Sequence, residues 1–189
     1  YEKFSPDDAY ITLICAFSSY RIAFWNSLLS AQYDELTNLP NRKYFTGQFA
    51  SEMQTDFPAG GHSLFLLDMD RFKEINDTYG HSAGDDALRF LAEQMNDNLS
   101  SKGFIGRWGG DEFIGVLYES PDEAVGTLRD LSTSLSSISF KEGFSVSVSV
   151  GVCALSPGED LLEMLRFADR ALYHAKRVGR GRVEIYQEM

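Results

Sequence analysis

Gly109, Gly110, Asp111 and Glu112 lie between two short apolar runs, Phe104-Ile105 and Phe113-Ile114-Gly115-Val116-Leu117-Tyr118. Both runs have strand composition, so Arg107-Trp108-Gly109-Gly110-Asp111-Glu112-Phe113 predicts a β-hairpin with Gly-Gly-Asp-Glu as its turn. Such a turn needs glycine. It does not need adjacent carboxylates, which repel each other unless positive charge meets them. The combination points to a turn whose bare backbone admits a phosphate and whose carboxylates hold a metal.

The rest of the chain supplies a frame for that hairpin. Ser5-Pro6-Asp7-Asp8 reads as a helix start, and the helix it opens, to about Gln32, carries enough apolar surface to want a partner. Residues 34–42 are a turn-rich linker, and Tyr44 to Met53 reads as a helix. Ser63 to Met69 is a short apolar strand ending in Asp68-Met69-Asp70, followed by a connection from Arg71 to His81. A helix capped by Ser82 runs to about Leu99, and another lies near Asp122 to Leu135. Phe144 to Val152 alternates as a strand, Leu161 to Arg177 is helical, and Arg182 to Tyr186 is a last strand. The order is a βαββαβ core with an antiparallel sheet and helices on one side. In that core the third strand starts where the first ends, which makes Asp68 and Asp111 neighbours.

A formal net charge of -11 in 189 residues excludes partners that rely on a basic excess, such as nucleic acid or an anionic membrane. Arg21 breaks the one long uncharged stretch, between Asp8 and Asp34, so no membrane span is expected there. Cys15 and Cys153 lack metal-ligand spacing and read as core hydrophobes of a reducing compartment.

A buried strand ending in carboxylates is costly unless a cation meets it. Asp68 and Asp111, with Asp70 and Glu112 nearby, form an oxygen site suited to Mg²⁺ or Mn²⁺ rather than zinc. Magnesium commonly binds through one or two carboxylates plus substrate phosphates, which ties the metal to a nucleotide.

These residues resemble the GGDEF family of diguanylate cyclases, which condense two GTP into cyclic di-GMP and release pyrophosphate. The resemblance covers about residues 33 to 187. It rests on Asp34 to Arg42, Asp68-Met69-Asp70, Phe72 to Asp77, Gly80-His81, Gly84-Asp85, the hairpin stretch, Ser149-Val150-Gly151, Ala168-Asp169, Ala175-Lys176 and Gly179-Arg180. It implies an α+β, palm-like fold with a ferredoxin-like βαββαβ antiparallel sheet flanked by helices. It further implies two Mg²⁺ or Mn²⁺ per active site, held by Asp68, Asp111 and the Met69 carbonyl. Asn76 and Asp85 would read guanine. The backbone around Arg71 and Phe72, with Lys73, Lys176 and Arg180, would take the triphosphate. Gly109 and Gly110 would make room for the nucleotide, and Glu112 would help deprotonate the attacking 3′-hydroxyl.

The same resemblance implies a homodimer for catalysis, a cytoplasmic GTP supply, a catalytic domain at 33–189, and a signalling or dimerising helix at 1–32. Phe4 to Tyr10 with the helix after it is similar to the end of a GAF sensory domain, implying an upstream sensor. Other readings stay open: a catalytically silent GTP-binding regulatory module, or a different nucleotidyl cyclase on the same core. Turn formation explains Asn76-Asp77, and helix capping explains Asp85, when each is taken alone. One departure stands out. Many members carry Arg-x-x-Asp before the hairpin as an inhibitory product site, and here Ser100-Ser101-Lys102-Gly103 replaces it.

Overall fold

A computed structural model describes Arg21 and residues 32–187. The apolar N-terminal helix expected before Gln32, with Cys15, the possible GAF likeness and the uncharged stretch, lies outside the described residues. Among those described, no helix is long and apolar enough to cross a membrane.

The elements are α1 (Arg42–Glu52), β1 (His62–Met69), α2 (Phe72–Tyr79), α3 (His81–Leu99), β2 (Gly103–Gly109), β3 (Glu112–Leu117), α4 (Pro121–Ser137), β4 (Val148–Leu155), α5 (Leu161–Arg177) and β5 (Val183–Ile185). The five strands form one sheet in the order β2-β3-β1-β4-β5. Its first four strands are antiparallel, as the ferredoxin-like expectation requires, while β5 extends the sheet by pairing parallel to β4.

Helices cover both faces, which corrects the expectation of helices on one side. Phe65, Leu67 and Met69 of β1 join a core with α3 and α4, whereas Leu64 and Leu66 join a second core with α1 and α5. Seven of the eight residues of β1 are buried. A strand shielded on both faces reads as an unbroken apolar run, and Leu64-Phe65-Leu66-Leu67 is such a run. Cys153 is a core residue as expected, and burial pushes its thiol up to about 12.

Three local expectations change. The segment from Arg71 to His81 is a helix rather than a connection, because Phe72, Ile75, Asn76 and Tyr79 recur at three- and four-residue spacing and Ile75 is buried. The next helix starts at His81 straight after Gly80, whose φ of 86° turns the chain sharply, and no Ser82 cap forms. The alternating stretch at 144–152 enters the sheet only at Val148. Its first residues fold back instead through a Ser139–Ser145 bridge and a Phe140–Phe144 stack at 4.6 Å. Helix α4 matches its expected span, its start fixed by the Glu123 side chain accepting from Ser120 N at 2.9 Å.

Candidate active site

Sheet register brings the carboxylates together. Asp68, near the end of β1, stands opposite Glu112, the first residue of β3, and Met69 N donates to Asp111 O at 3.2 Å. The hairpin turn between β2 and β3 is Gly110-Asp111, with Gly110 at a φ of 53° where a side chain would be strained. A side chain at either Gly109 or Gly110 would meet nothing within 4 Å, so the turn presents bare backbone to open space.

The Lys176 ammonium, from the last turn of α5, reaches across to Asp68 Oδ2 at 2.7 Å. Burial pushes the Asp68 carboxyl above its ordinary value; Lys176 pulls it back, and Asp111 and Asp70 push it up again. Burial also raises Glu112, helped by the Asp68 and Asp111 charges and opposed by Lys176. One cation therefore faces several carboxylates on the end of a sheet. Such a field favours further positive charge, and the donors are hard oxygens of the kind Mg²⁺ or Mn²⁺ takes. Among the described residues no three acidic, His or Cys side chains form a ready-made metal cage. An ion that keeps water and substrate phosphates in its shell needs only one or two of them, so the donor set fits.

On the other side of β1, α2 and α3 pack closely enough that a methyl group at Gly84 would overlap the Asn76 carboxamide and press on Phe72. That contact sets half-buried Asn76 against Gly84, the residue before Asp85 near the start of α3. Arg71 precedes α2 in the left-handed region at a φ of 57°, and Arg180 follows α5 at 59°. Both are exposed, as is Lys73. His62 pairs with Glu52 at 3.5 Å and His174 with Glu184 at 3.5 Å, both away from the carboxylate site.

Two features were not legible in the sequence. Arg107 Nη1 donates to Asp34 Oδ1 at 2.8 Å, and its Nε and Nη2 donate to Gly110 O at 3.0 and 2.6 Å, so the linker and the turn share one guanidinium. Its position two residues before the glycines was the available signal. Asp70, expected near the metal, instead has its carboxylate filled by Ser147, Ser149 and the Gly181 amide.

A βαββαβ sheet with carboxylates gathered at one end, a lysine against them and an open glycine turn beside them defines the class of α+β domain. The chain belongs to the GGDEF family: the model described as diguanylate cyclase, GGDEF domain, matches residues 31–182. It is 37% identical over 163 residues to diguanylate cyclase DosC of Escherichia coli (strain K12), a match covering 82% of this chain and 35% of that protein. With diguanylate cyclase DgcP of Pseudomonas aeruginosa it shares 37% identity over 157 residues, covering 80% and 23%. The chain thus spans roughly a third or less of these relatives. Among solved structures, the coiled coil and GGDEF domain of Caulobacter crescentus DgcB in complex with c-di-GMP superposes with a TM-score of 0.81 at 29% identity, covering 96% of this chain and all of that one. A microbial GGDEF domain studied with cyclic di-GMP superposes at 0.72 with 35% identity, covering 83% of this chain and 97% of that one.

Proposed function

We propose that this chain is a diguanylate cyclase domain, condensing two GTP into cyclic di-GMP with release of pyrophosphate. The observation that carries the reading is the pairing of Asp68 with Glu112 across β1 and β3, beside Asp111 and with Lys176 in contact.

Asp68 and Asp111, with the Met69 carbonyl, would hold two Mg²⁺ or Mn²⁺ ions, which supply charge stabilisation at the phosphates and acidify the attacking hydroxyl. Lys176, Lys73 and Arg180, with the backbone at Arg71 and Phe72, orient the triphosphate. Asn76 and Asp85 take the guanine edge: a carboxylate accepts from the N1 and N2 donors, and an amide both donates and accepts. Glu112 has a raised proton affinity, which suits it to receive the 3′-hydroxyl proton. The freed 3′-oxygen forms a bond to the α-phosphorus of the GTP on a second chain, and the bond to the β-phosphate breaks. The same exchange in the opposite direction closes the ring.

One domain offers one such site, so two must face each other and catalysis requires a homodimer. Residues 1–32 would control that pairing as the end of an upstream sensory region, ahead of a catalytic domain at 33–189. The coiled coil that accompanies the GGDEF domain in DgcB supports this layout. GTP as substrate places the reaction in the cytoplasm. Incubation with GTP or ATP and Mg²⁺ at high protein concentration, followed by product identification, tests the reading. Cyclic di-GMP from GTP, lost in Asp68→Ala and Asp111→Ala, is expected; GTP bound but recovered unchanged would make the domain a regulatory module.

A further inference from the structure

Asp68 lies near the end of β1 and Asp70 immediately follows the strand, and both are buried, at 8% and 7% exposure. Their partners differ in kind. Asp68 faces a side-chain ammonium that an incoming cation can displace. Asp70 faces three neutral donors: Ser147 Oγ at 2.8 Å and Gly181 N at 2.9 Å on one oxygen, and Ser149 Oγ at 2.7 Å on the other. A carboxylate offers about four acceptor positions. Three are filled, so removing the carboxylate leaves three donors, the buried Ser149 hydroxyl among them, without this acceptor.

The donors come from separate elements. Ser147 and Ser149 flank the entry to β4, and Asp70 N also donates to Ser147 O at 2.8 Å. Gly181 ends the loop after α5, in which Gly179, Arg180 and Gly181 have φ of 134°, 59° and 59° in succession. Gly179 and Gly181 take positive φ freely, and the Arg180 N–H to Ala175 O bond closes the helix end locally, but the left-handed φ of Arg180 between them is disfavoured without support. Beyond that helix-end bond of 3.0 Å, the loop is tied to the sheet by Gly181 N donating to Asp70 at 2.9 Å and by Arg182 O accepting from Val150 N at 2.9 Å. A cavity of about 480 Å³ lies alongside, lined by Arg71, Arg180 and Asp70 among others, and the Arg180 side chain has no ion-pair partner among the described residues.

We infer that Asp70 is a positioning residue for phosphate binding and not a metal ligand: it clasps the 179–181 loop to the end of β1 so that Arg180 meets the triphosphate. The inference rests on the proposed role of Arg180 toward GTP. Through the clasp, the chain just beyond the strand that carries Asp68 sets the loop that carries Arg180.

The test uses the whole chain, Mg²⁺ and a non-hydrolysable GTP analogue. Asp70→Ala and the pair Ser147→Ala/Ser149→Ala, which keeps the carboxylate, are each expected to weaken analogue binding about tenfold or more. The Mg²⁺ concentration for half-maximal binding stays unchanged in both. Asp70→Asn retains most of the affinity, because its oxygen still takes Gly181 N and Ser147 while its amide donates to Ser149. Asp70→Ala adds little in an Arg180→Ala background, and it speeds hydrogen exchange at the Gly181 amide. A shift in Mg²⁺ half-saturation in Asp70→Asn as large as in Asp68→Asn would overturn the proposal. So would faster Gly181 exchange with unchanged analogue binding. Cyclase activity of the wild type is read separately, so the proposed function stands or falls on its own assay.

Discussion

Arg107 bridges Asp34 of the linker and the Gly110 carbonyl of the turn with one guanidinium, at 2.8 Å on one side and 2.6 and 3.0 Å on the other. Arg107 N also donates to Pro40 O at 2.9 Å, and Arg42 lies over the Trp108 ring at 4.3 Å. The linker at 34–42 and the Gly110-Asp111 turn are therefore one mechanical unit.

Arg107→Ala should lower turnover and cost about 1–3 kcal/mol, since it removes the charged partner of Asp34, which keeps only Thr37, and the side-chain donor of the Gly110 carbonyl. Asp34→Asn should add less on top of it than it costs alone, which a double-mutant cycle in urea would measure. Burial raises the Asp34 carboxyl, but the Arg107 and Thr37 hydrogen bonds outweigh it and hold it below its ordinary value. A depressed folded value means stability present above the ordinary value and lost as pH falls through the folded one. The Asp34 contribution should therefore vanish only in strong acid, below about pH 4.

Glu112 behaves in the opposite sense. Its folded value is raised, so the folded chain binds the proton more tightly than the unfolded one and stability falls as pH rises through that window. Glu112→Gln should raise Tm by about 1–2 °C at neutral pH, the scale of a half-exposed like-charge contact, and by less at pH 4. Equal Tm shifts at both pH values would refute the electrostatic account, and cyclic di-GMP formation should drop in the same variant.

Removing the Lys176 ammonium should strand the Asp68 charge. Lys176→Met is expected to lose about 1–3 kcal/mol at neutral pH, less than a fully buried pair because Lys176 is partly exposed. Mg²⁺ should restore Tm more in this variant than in the wild type, and chelation should abolish the difference. Equal stabilisation of both proteins by Mg²⁺ would argue that no cation takes the ammonium's place.

Gly84→Ala should displace Asn76, since the added methyl overlaps its carboxamide. GTP affinity should fall about tenfold or more, the scale of losing one specific polar contact in a buried site. ATP, which the guanine contacts proposed for Asn76 and Asp85 do not suit, should be affected little. A binding titration with both nucleotides decides it.

Cyclic di-GMP should not inhibit through residues 100–103. Lys102 is engaged by Glu119 at 2.9 Å and Thr127 at 2.7 Å, and a side chain at Gly103 would run into the Val116 carbonyl. Ser100→Arg/Gly103→Asp should therefore destabilise the chain rather than install feedback. Product titration against initial rate, with thermal melts of both proteins, checks it.

Sequence alone determined most of the helices and strands with strong periodicity, the βαββαβ order along the chain, and the meeting of Asp68 with the Asp111-Glu112 turn. Periodicity and turn chemistry act within ten or so residues, so local pattern is enough to read them. It also contained, in the unbroken apolar run of β1, the sign that both sheet faces are covered, although alternation elsewhere suggested one.

What only the tertiary structure decided is which carboxylate does what. Asp68 and Asp70 are two residues apart and chemically identical, yet one meets a displaceable ammonium and the other three fixed neutral donors. Those partners lie more than seventy residues away along the chain. Desolvation and hydrogen bonding set a carboxylate's role through neighbours in space, and no local pattern records them.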